Sequence, residues 1–120
     1  MTKKQFFKEL PYKNLESGMP SLADATRSMA QFINESKHTQ HRVVKIIHGY
    51  GSSGVGGKLR VGLRQDLAAR SRSGKIKGFI AGERFGKYEE TQPYINQYTQ
   101  LAVDPDFGRG NAGITVIILY

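Results

Sequence analysis

A cluster of glycines with a histidine before it and basic residues after it is the part of this sequence best suited to chemistry. Five of the nine residues from 49 to 57 are glycine, and a compact β-branched run, residues 43–47, comes before them. Glycines let the backbone approach a ligand and adopt positive φ, so several N–H groups can converge on one phosphate. A helix beginning near Gly57 would add its positive dipole end. This arrangement predicts a phosphate-binding loop.

Side chains in and beyond the loop favour the same prediction. The serines offer hydroxyl donors, the tyrosine could stack on a base or ribose, and three cations follow. The predicted phosphate-binding residues are Gly49, Tyr50, Gly51, Ser52, Ser53, Gly54, Gly57, Lys58, Arg60 and Arg64. The alternative is a tight turn that holds no ligand.

His48 is the strongest candidate for acid–base chemistry. It lies where the strand opens into the loop, so we expect its ring to face a bound phosphate. Near neutral pH an imidazole can act there as acid, base or hydrogen-bond donor. A histidine that only caps the strand is the alternative.

Two familiar nucleotide motifs fit the loop poorly. Residues 49–54 satisfy G-x-G-x-x-G, but 120 residues cannot hold both halves of a dinucleotide-binding fold. The motif G-x-x-x-x-G-K-[ST] fails, because Leu59 follows Lys58 and Ser52 occupies the position of the first glycine. The sequence therefore disfavours a nucleoside-triphosphate site.

Charge and composition narrow the classes of partner and compartment. The net charge is +8, and residues 51–81 carry seven Lys and Arg against Asp66 alone, which favours a polyanion partner over a merely solvated face. The absence of cysteine excludes disulfides, thiolate zinc sites and a cysteine nucleophile. The first ten residues do not resemble a signal peptide, and the apolar run near residues 114–120 is too short to span a bilayer. We expect a cytoplasmic protein.

Periodicity predicts the elements that position the loop. Strands are expected over residues 12–16, 43–47, 75–80 and 115–119. A helix from about 22 to 37 begins at Ser21, and a second from about 57 to 72 carries a leucine stripe; a short helix is expected near 94–101. The predicted fold is an α/β two-layer sandwich, a four-stranded mixed sheet with two main helices largely on one face. Residues 1–11 would form an arm and 12–120 a single domain.

Two segments resemble the Smr (small MutS-related) domain family. The run from 48 to 60 is similar to its H-G-x-G-x-G signature, and residues 113–117 are similar to its closing strand motif. The resemblance implies a fold like the C-terminal domain of bacterial translation initiation factor three. It also implies binding of DNA or RNA, which some members nick as metal-assisted endonucleases.

The chain departs from this family in two places. The family opens with L-D-L-H-G, whereas this chain has Asn14-Leu15-Glu16-Ser17-Gly18, so Glu16 is the carboxylate available there. The resemblance implies His48 and Glu16 as catalytic residues, with a divalent metal such as Mg²⁺ or Mn²⁺. An insertion at about 82–110 is longer than expected and could cover the site, read substrate or pad an edge.

The leading hypothesis is a nucleic-acid-binding domain, with phosphodiester cleavage left open. No base-reading motif is present, so preference for structure or strand is expected over sequence specificity. The alternatives are a small-molecule phosphate or nucleotide pocket without nuclease activity, and an interaction module without a ligand.

Overall fold

The computed structural model describes residues 7–50 and 55–120. Within these residues four strands alternate with helices along the chain. The elements are β1 (Tyr12–Asn14), α1 (Leu22–His38), β2 (Val43–Ile47), α2 (Val55–Arg72), β3 (Gly78–Ala81), α3 (Gln92–Gln97) and β4 (Ile114–Ile118), with short 3₁₀ helices at Gly82–Arg84 and Thr99–Val103. No helix in the described part of the chain is long and apolar enough to cross a membrane.

The four strands form one mixed sheet, as predicted. Their order is β1-β2-β4-β3; β1 lies parallel to β2, and β4 is antiparallel to both of its neighbours. Val43 of β2 pairs with Ile118 of β4, and Ile47 pairs with Ile114. The carboxyl ends of β1 and β2 therefore meet at one edge of the sheet, where α2 begins.

The two main helices cover one face of the sheet. The Ser21 hydroxyl caps α1 by accepting a hydrogen bond from the Asp24 amide at 3.1 Å, as its position predicted. The leucine stripe of α2 is buried as expected. This face of the core contains Leu15, Ala25, Met29, Ile33, Val44, Ile46, Leu59, Leu63, Leu67, Ile76, Ile117 and Leu119.

Two strand boundaries differ from the prediction by more than one residue. The first strand ends at Asn14, because the Asn14 side chain accepts hydrogen bonds from the amides of Glu16 and Ser17 and turns the chain. The third begins at Gly78, since the amides of Lys75 and Ile76 still bond to the Arg70 carbonyl at the end of α2.

The predicted insertion packs over the sheet face opposite α1 and α2. The second core contains Leu10, Val43, Ile80, Phe85, Tyr98, Leu101, Ile114, Val116 and Ile118. Because the sheet is buried on both faces, the two main helices form only one of its two covering layers.

Lys45 fixes this second layer to the sheet. Its side chain is fully buried, and its ammonium group donates to Glu9 at 2.8 Å, Asp104 at 3.1 Å and Asp106 at 2.6 Å. Burial alone would lower the pKa of Lys45, but hydrogen bonds to the three carboxylates raise it above its ordinary value. The amide of Leu10 also donates to Asp104, which joins the segment before β1 to the same cluster.

Candidate functional site

The candidate site lies at the carboxyl ends of the parallel pair β1 and β2. Gly49 and Tyr50 follow β2, Glu16 follows β1, and α2 begins at Val55. The predicted phosphate ligands Gly51, Ser52, Ser53 and Gly54 lie outside the described residues. The structure thus brings Glu16 beside Gly49, the first residue of the glycine loop.

Gly49 has a backbone conformation that favours glycine, and the Glu16 side chain lies close to it. Its φ is +83°, and a Cβ atom at this position would lie 2.1 Å from Glu16 Oε2. Its amide donates to the Gly113 carbonyl at 3.0 Å. This amide is directed at the sheet, so the expectation that it contributes to an anion site is wrong.

The His48 ring is sealed in the interior, which corrects the prediction that it faces a bound phosphate. The residue has no exposed surface. Its Nδ1 lies 3.0 Å from the Gly49 carbonyl oxygen, and its Nε2 lies 2.8 Å from Thr115 Oγ1. Both ring nitrogens are therefore engaged inside the protein, and neither reaches a ligand at the surface.

These contacts fix the tautomer of His48. A carbonyl oxygen can only accept, so Nδ1 carries the proton and Nε2 accepts from the Thr115 hydroxyl. Burial lowers the pKa of His48 to about 4; the bond to Gly49 opposes this shift, and the Arg64 and Arg60 cations add to it. The ring is neutral at physiological pH, and its two hydrogen bonds join the Gly49 carbonyl to Thr115 of β4.

Arg64 belongs to the same interior network, which corrects its prediction as a phosphate ligand. Its Nε donates to Thr115 Oγ1 at 3.0 Å, and its two terminal nitrogens donate to the Glu83 carboxylate at 3.1 and 2.8 Å. Burial alone would raise the pKa of Glu83, but the Arg64 hydrogen bonds and charge hold it below its ordinary value. Glu83 and Thr115 complete the network and were not among the predicted site residues.

Three predicted ligands keep exposed side-chain surface near the loop. Tyr50 is 60% exposed, and its ring lies against Gly113. Lys58 is exposed and Arg60 is half-buried, and neither forms an ion pair with a described residue. Gly57 lines the same shallow groove as Lys58 and Arg60. The groove is open and positively charged, and the Tyr50 ring is exposed at the carboxyl end of β2.

At this position the described residues supply the Glu16 carboxylate and no larger cluster of metal ligands. No group of three or more histidine, aspartate or glutamate side chains there could hold a metal ion. Glu16 is the carboxylate beside the loop, and both nitrogens of His48 are already bonded. Mg²⁺ is usually held by one or two carboxylates together with water and substrate phosphates, so a divalent cation at Glu16 stays a prediction.

Comparison with known proteins identifies the family. The Smr domain model matches residues 17–85, more than half of the chain. The chain belongs to the Smr domain family. The matched region runs from the end of the β1 turn through α1, β2, α2 and β3, and it includes the glycine loop and Arg64.

A solved structure supports the same fold for this Smr domain. The structure of this chain resembles the crystal structure of the Smr domain of Thermus thermophilus MutS2, with a TM-score of 0.58 and 19% sequence identity. The similarity covers 92% of this chain and 99% of that chain. The comparison with curated proteins gives no match.

Proposed function

We propose that this Smr domain binds nucleic acid through its phosphate backbone, at the surface where β2 passes into α2. The observation that carries the proposal is the pair Lys58 and Arg60, two cations without an ion pair among the described residues, in the first turns of a helix that follows a glycine loop. The Smr family is one whose members in general bind nucleic acids.

Electrostatics favours a phosphate at this position. The start of a helix carries unpaired amides and the positive end of its dipole, and both attract anions. The first turn of α2 holds no acidic residue, and the described carboxylate beside the loop that opposes the field of Lys58 and Arg60 is that of Glu16, next to Gly49. A chain with a net charge of +8 adds a long-range attraction for a polyanion.

The open shape of the surface favours a polymer over an enclosed small molecule. Residues of α2 and Leu22 of α1 line a shallow groove without a roof. Small-molecule ligands are usually held in clefts that cover most of their surface. Tyr50, whose ring is exposed after the carboxyl end of β2, supplies a flat platform for one base.

The interior network holds this surface in place without touching ligand. His48 donates to the Gly49 carbonyl and accepts from the Thr115 hydroxyl, to which Arg64 donates in turn. Because His48 is neutral and buried, we assign it a positioning role. The proposal is limited to binding, since His48 is buried and no group of three or more metal-ligating side chains lies beside the loop among the described residues.

The experiment that tests this proposal is a salt titration with charge-matched variants. Binding of a labelled 20-nucleotide strand would be followed by fluorescence anisotropy for wild type, Lys58→Gln/Arg60→Gln and Lys8→Gln/Lys87→Gln. The control pair removes the same charge from exposed lysines outside the groove. We expect the first variant to lose roughly ten- to a hundredfold in affinity and about two units of the log–log salt slope.

Other outcomes would replace the proposal. Equal losses in the two variants would mean that only net charge matters. Binding of a mononucleotide as tight as that of the 20-mer, and insensitive to salt, would favour the small-molecule pocket. If neither the 20-mer nor a mononucleotide bound, an interaction module without a nucleic-acid ligand would be favoured.

A further inference from the structure

A second basic groove lies at the far end of the same two helices. Its lining combines three cations, Lys37, Arg70 and Lys75, with the amides of Gln31 and Asn34 and with Ala30 and Ile33. No aspartate or glutamate lines it. We call these residues the distal groove.

Contacts within the distal groove hold its cations at the surface. The Lys37 ammonium donates to the Lys75 carbonyl, which ties the turn after α2 to the last turn of α1. Arg70 is held by Asp66 at 2.5 Å, and Asp66 is itself only partly exposed. The Lys75 side chain is exposed and has no ion pair with a described residue.

The distal groove and the proposed phosphate site lie on one seam between α1 and α2. Lys58 and Arg60 line a groove with Leu22, in the first turn of α1, whereas the distal groove is lined by Lys37, in its last turn. The two helices therefore run side by side in the same direction. Lys58 and Arg70 are twelve residues apart on α2, which corresponds to about 18 Å along the helix axis.

This spacing suits successive phosphates of one polynucleotide. At about 3.4 Å per nucleotide along a duplex strand, 18 Å corresponds to roughly five steps. Two carboxylates of these helices are paired, Asp24 with Arg27 and Asp66 with Arg70, so the positive charge of the distal groove that no described carboxylate balances comes from Lys37 and Lys75. Partly exposed Val61 and Leu22 lie along the same route.

We infer that the distal groove is a second phosphate-binding site, so that a nucleic acid strand lies along the α1–α2 seam from Lys58 to Lys75. The inference rests on the proposed function and extends it, because it makes the ligand a polynucleotide longer than about six nucleotides. A mononucleotide or a very short strand can occupy the first site alone.

A length series with variants at each end tests the inference. Strands of 4 and 20 nucleotides would be titrated against wild type, Lys37→Gln/Lys75→Gln, Lys58→Gln/Arg60→Gln and the Lys8→Gln/Lys87→Gln control. We expect the distal variant to bind the 20-mer about tenfold more weakly and to bind the 4-mer, followed by NMR titration, as wild type does. The Lys58 and Arg60 variant should weaken binding of both strands.

Lys75→Glu is a second probe in case loss of the Lys37 contact disturbs folding. It reverses one exposed charge and leaves Lys37 able to reach the Lys75 backbone carbonyl, and it should reproduce the length-dependent loss. Wild-type binding of the 20-mer by both distal variants would overturn the distal site while leaving the proposed function standing. If the Lys58→Gln/Arg60→Gln variant instead bound the strand with wild-type affinity, the proposed function would be overturned.

Discussion

His48 and Arg64 meet at a single hydroxyl group. The Nε2 of His48 lies 2.8 Å from Thr115 Oγ1, and the Nε of Arg64 lies 3.0 Å from the same atom. The threonine hydroxyl donates to the imidazole and accepts from the guanidinium, so both residues of the family-matched region are anchored to β4. Two side chains that look like ligands in the sequence are thereby committed to the interior.

Replacing the shared hydroxyl should destabilise the domain. Thr115→Val keeps the shape but leaves the buried Nε2 of His48 without a donor and removes one acceptor from Arg64. We expect a loss of about 2–4 kcal/mol in the free energy of unfolding, since an unpaired buried polar group costs about 1–3 kcal/mol. Urea denaturation measures it. Thr99→Val, at an exposed threonine, is the matched control, and an equal effect of both variants would contradict the network.

The buried imidazole should make folding sensitive to mild acid. Its pKa falls from 6.5 to about 4, so between these values the unfolded chain binds a proton that the folded chain excludes. This contribution to stability is complete above pH 6.5 and is lost as the pH falls towards 4. Imidazole ¹⁵N shifts should report a neutral ring, protonated at Nδ1, at pH 5.5. A His48 ring that titrates near 6.5 would show that it is exposed to solvent.

Lys45→Met should be among the most damaging single substitutions. It leaves the fully buried Asp104 carboxylate without its cation, which costs about 3–5 kcal/mol. Lys13→Met, at an exposed lysine of the adjacent strand, should change the free energy of unfolding little. Denaturant unfolding monitored by circular dichroism compares the two, and equal stabilities would contradict a structural role for the Lys45 cluster.

The same cluster predicts a response to strong acid. Burial alone would raise the pKa of Asp106, but hydrogen bonds from Lys45 and Asn111 hold it below its ordinary 3.8. Asp106 therefore contributes stability at pH values above its pKa in the unfolded chain. This contribution is lost as the pH falls through its lower pKa in the folded protein. We expect the acid-induced loss below pH 4 to be smaller in Lys45→Met than in wild type, measured by thermal unfolding at stepped pH.

Alanine variants of two glycines with the same backbone conformation distinguish the effect of backbone strain from an effect on the proposed site. Gly49 and Gly74 have φ values of +83° and +75°, but only at Gly49 would an added Cβ meet Glu16. Each alanine variant should therefore lose about 1–2 kcal/mol of stability from backbone strain. Nucleic acid affinity should fall in Gly49→Ala alone, because there Glu16 must move beside the loop. Unchanged binding by Gly49→Ala would place the ligand elsewhere.

Tyr50 should contribute through its ring. Tyr50→Ala removes the exposed platform and should weaken binding of single strands by about 1–3 kcal/mol, the range measured for base–aromatic stacking. Tyr50→Phe keeps the ring and should bind as wild type does. Anisotropy titrations of the two variants make the comparison, and equal affinities of Ala and Phe variants would exclude stacking at this position.

Local patterns were sufficient to predict most of the fold. The Ser21 cap, the leucine stripe of α2 and the β-branched run of β2 each depend on neighbours within one element, and the structure confirms all three. The second covering layer was missed, because its packing depends on contacts between residues distant in sequence. Asp104 and Lys45, for example, are 59 residues apart.

The inward orientation of His48 follows from the side-chain alternation of β2. Strand alternation places residues 44, 46 and 48 on one side, and Val44 and Ile46 belong to the core beneath the helices. That periodicity directs His48 inward. The pairing of Arg64 with Glu83 and Thr115 had no comparable local signal, since it requires the register of β3 and β4.

The most direct measurement is NMR mapping of a bound single strand on the uniformly ¹⁵N-labelled domain. The proposed site predicts that the largest amide shift changes fall between Gly49 and Arg60, with smaller ones at Lys37 and Lys75 and none at Lys8 or Lys87. Shift changes confined to the face covered by residues 82–113, with the start of α2 unaffected, would contradict it.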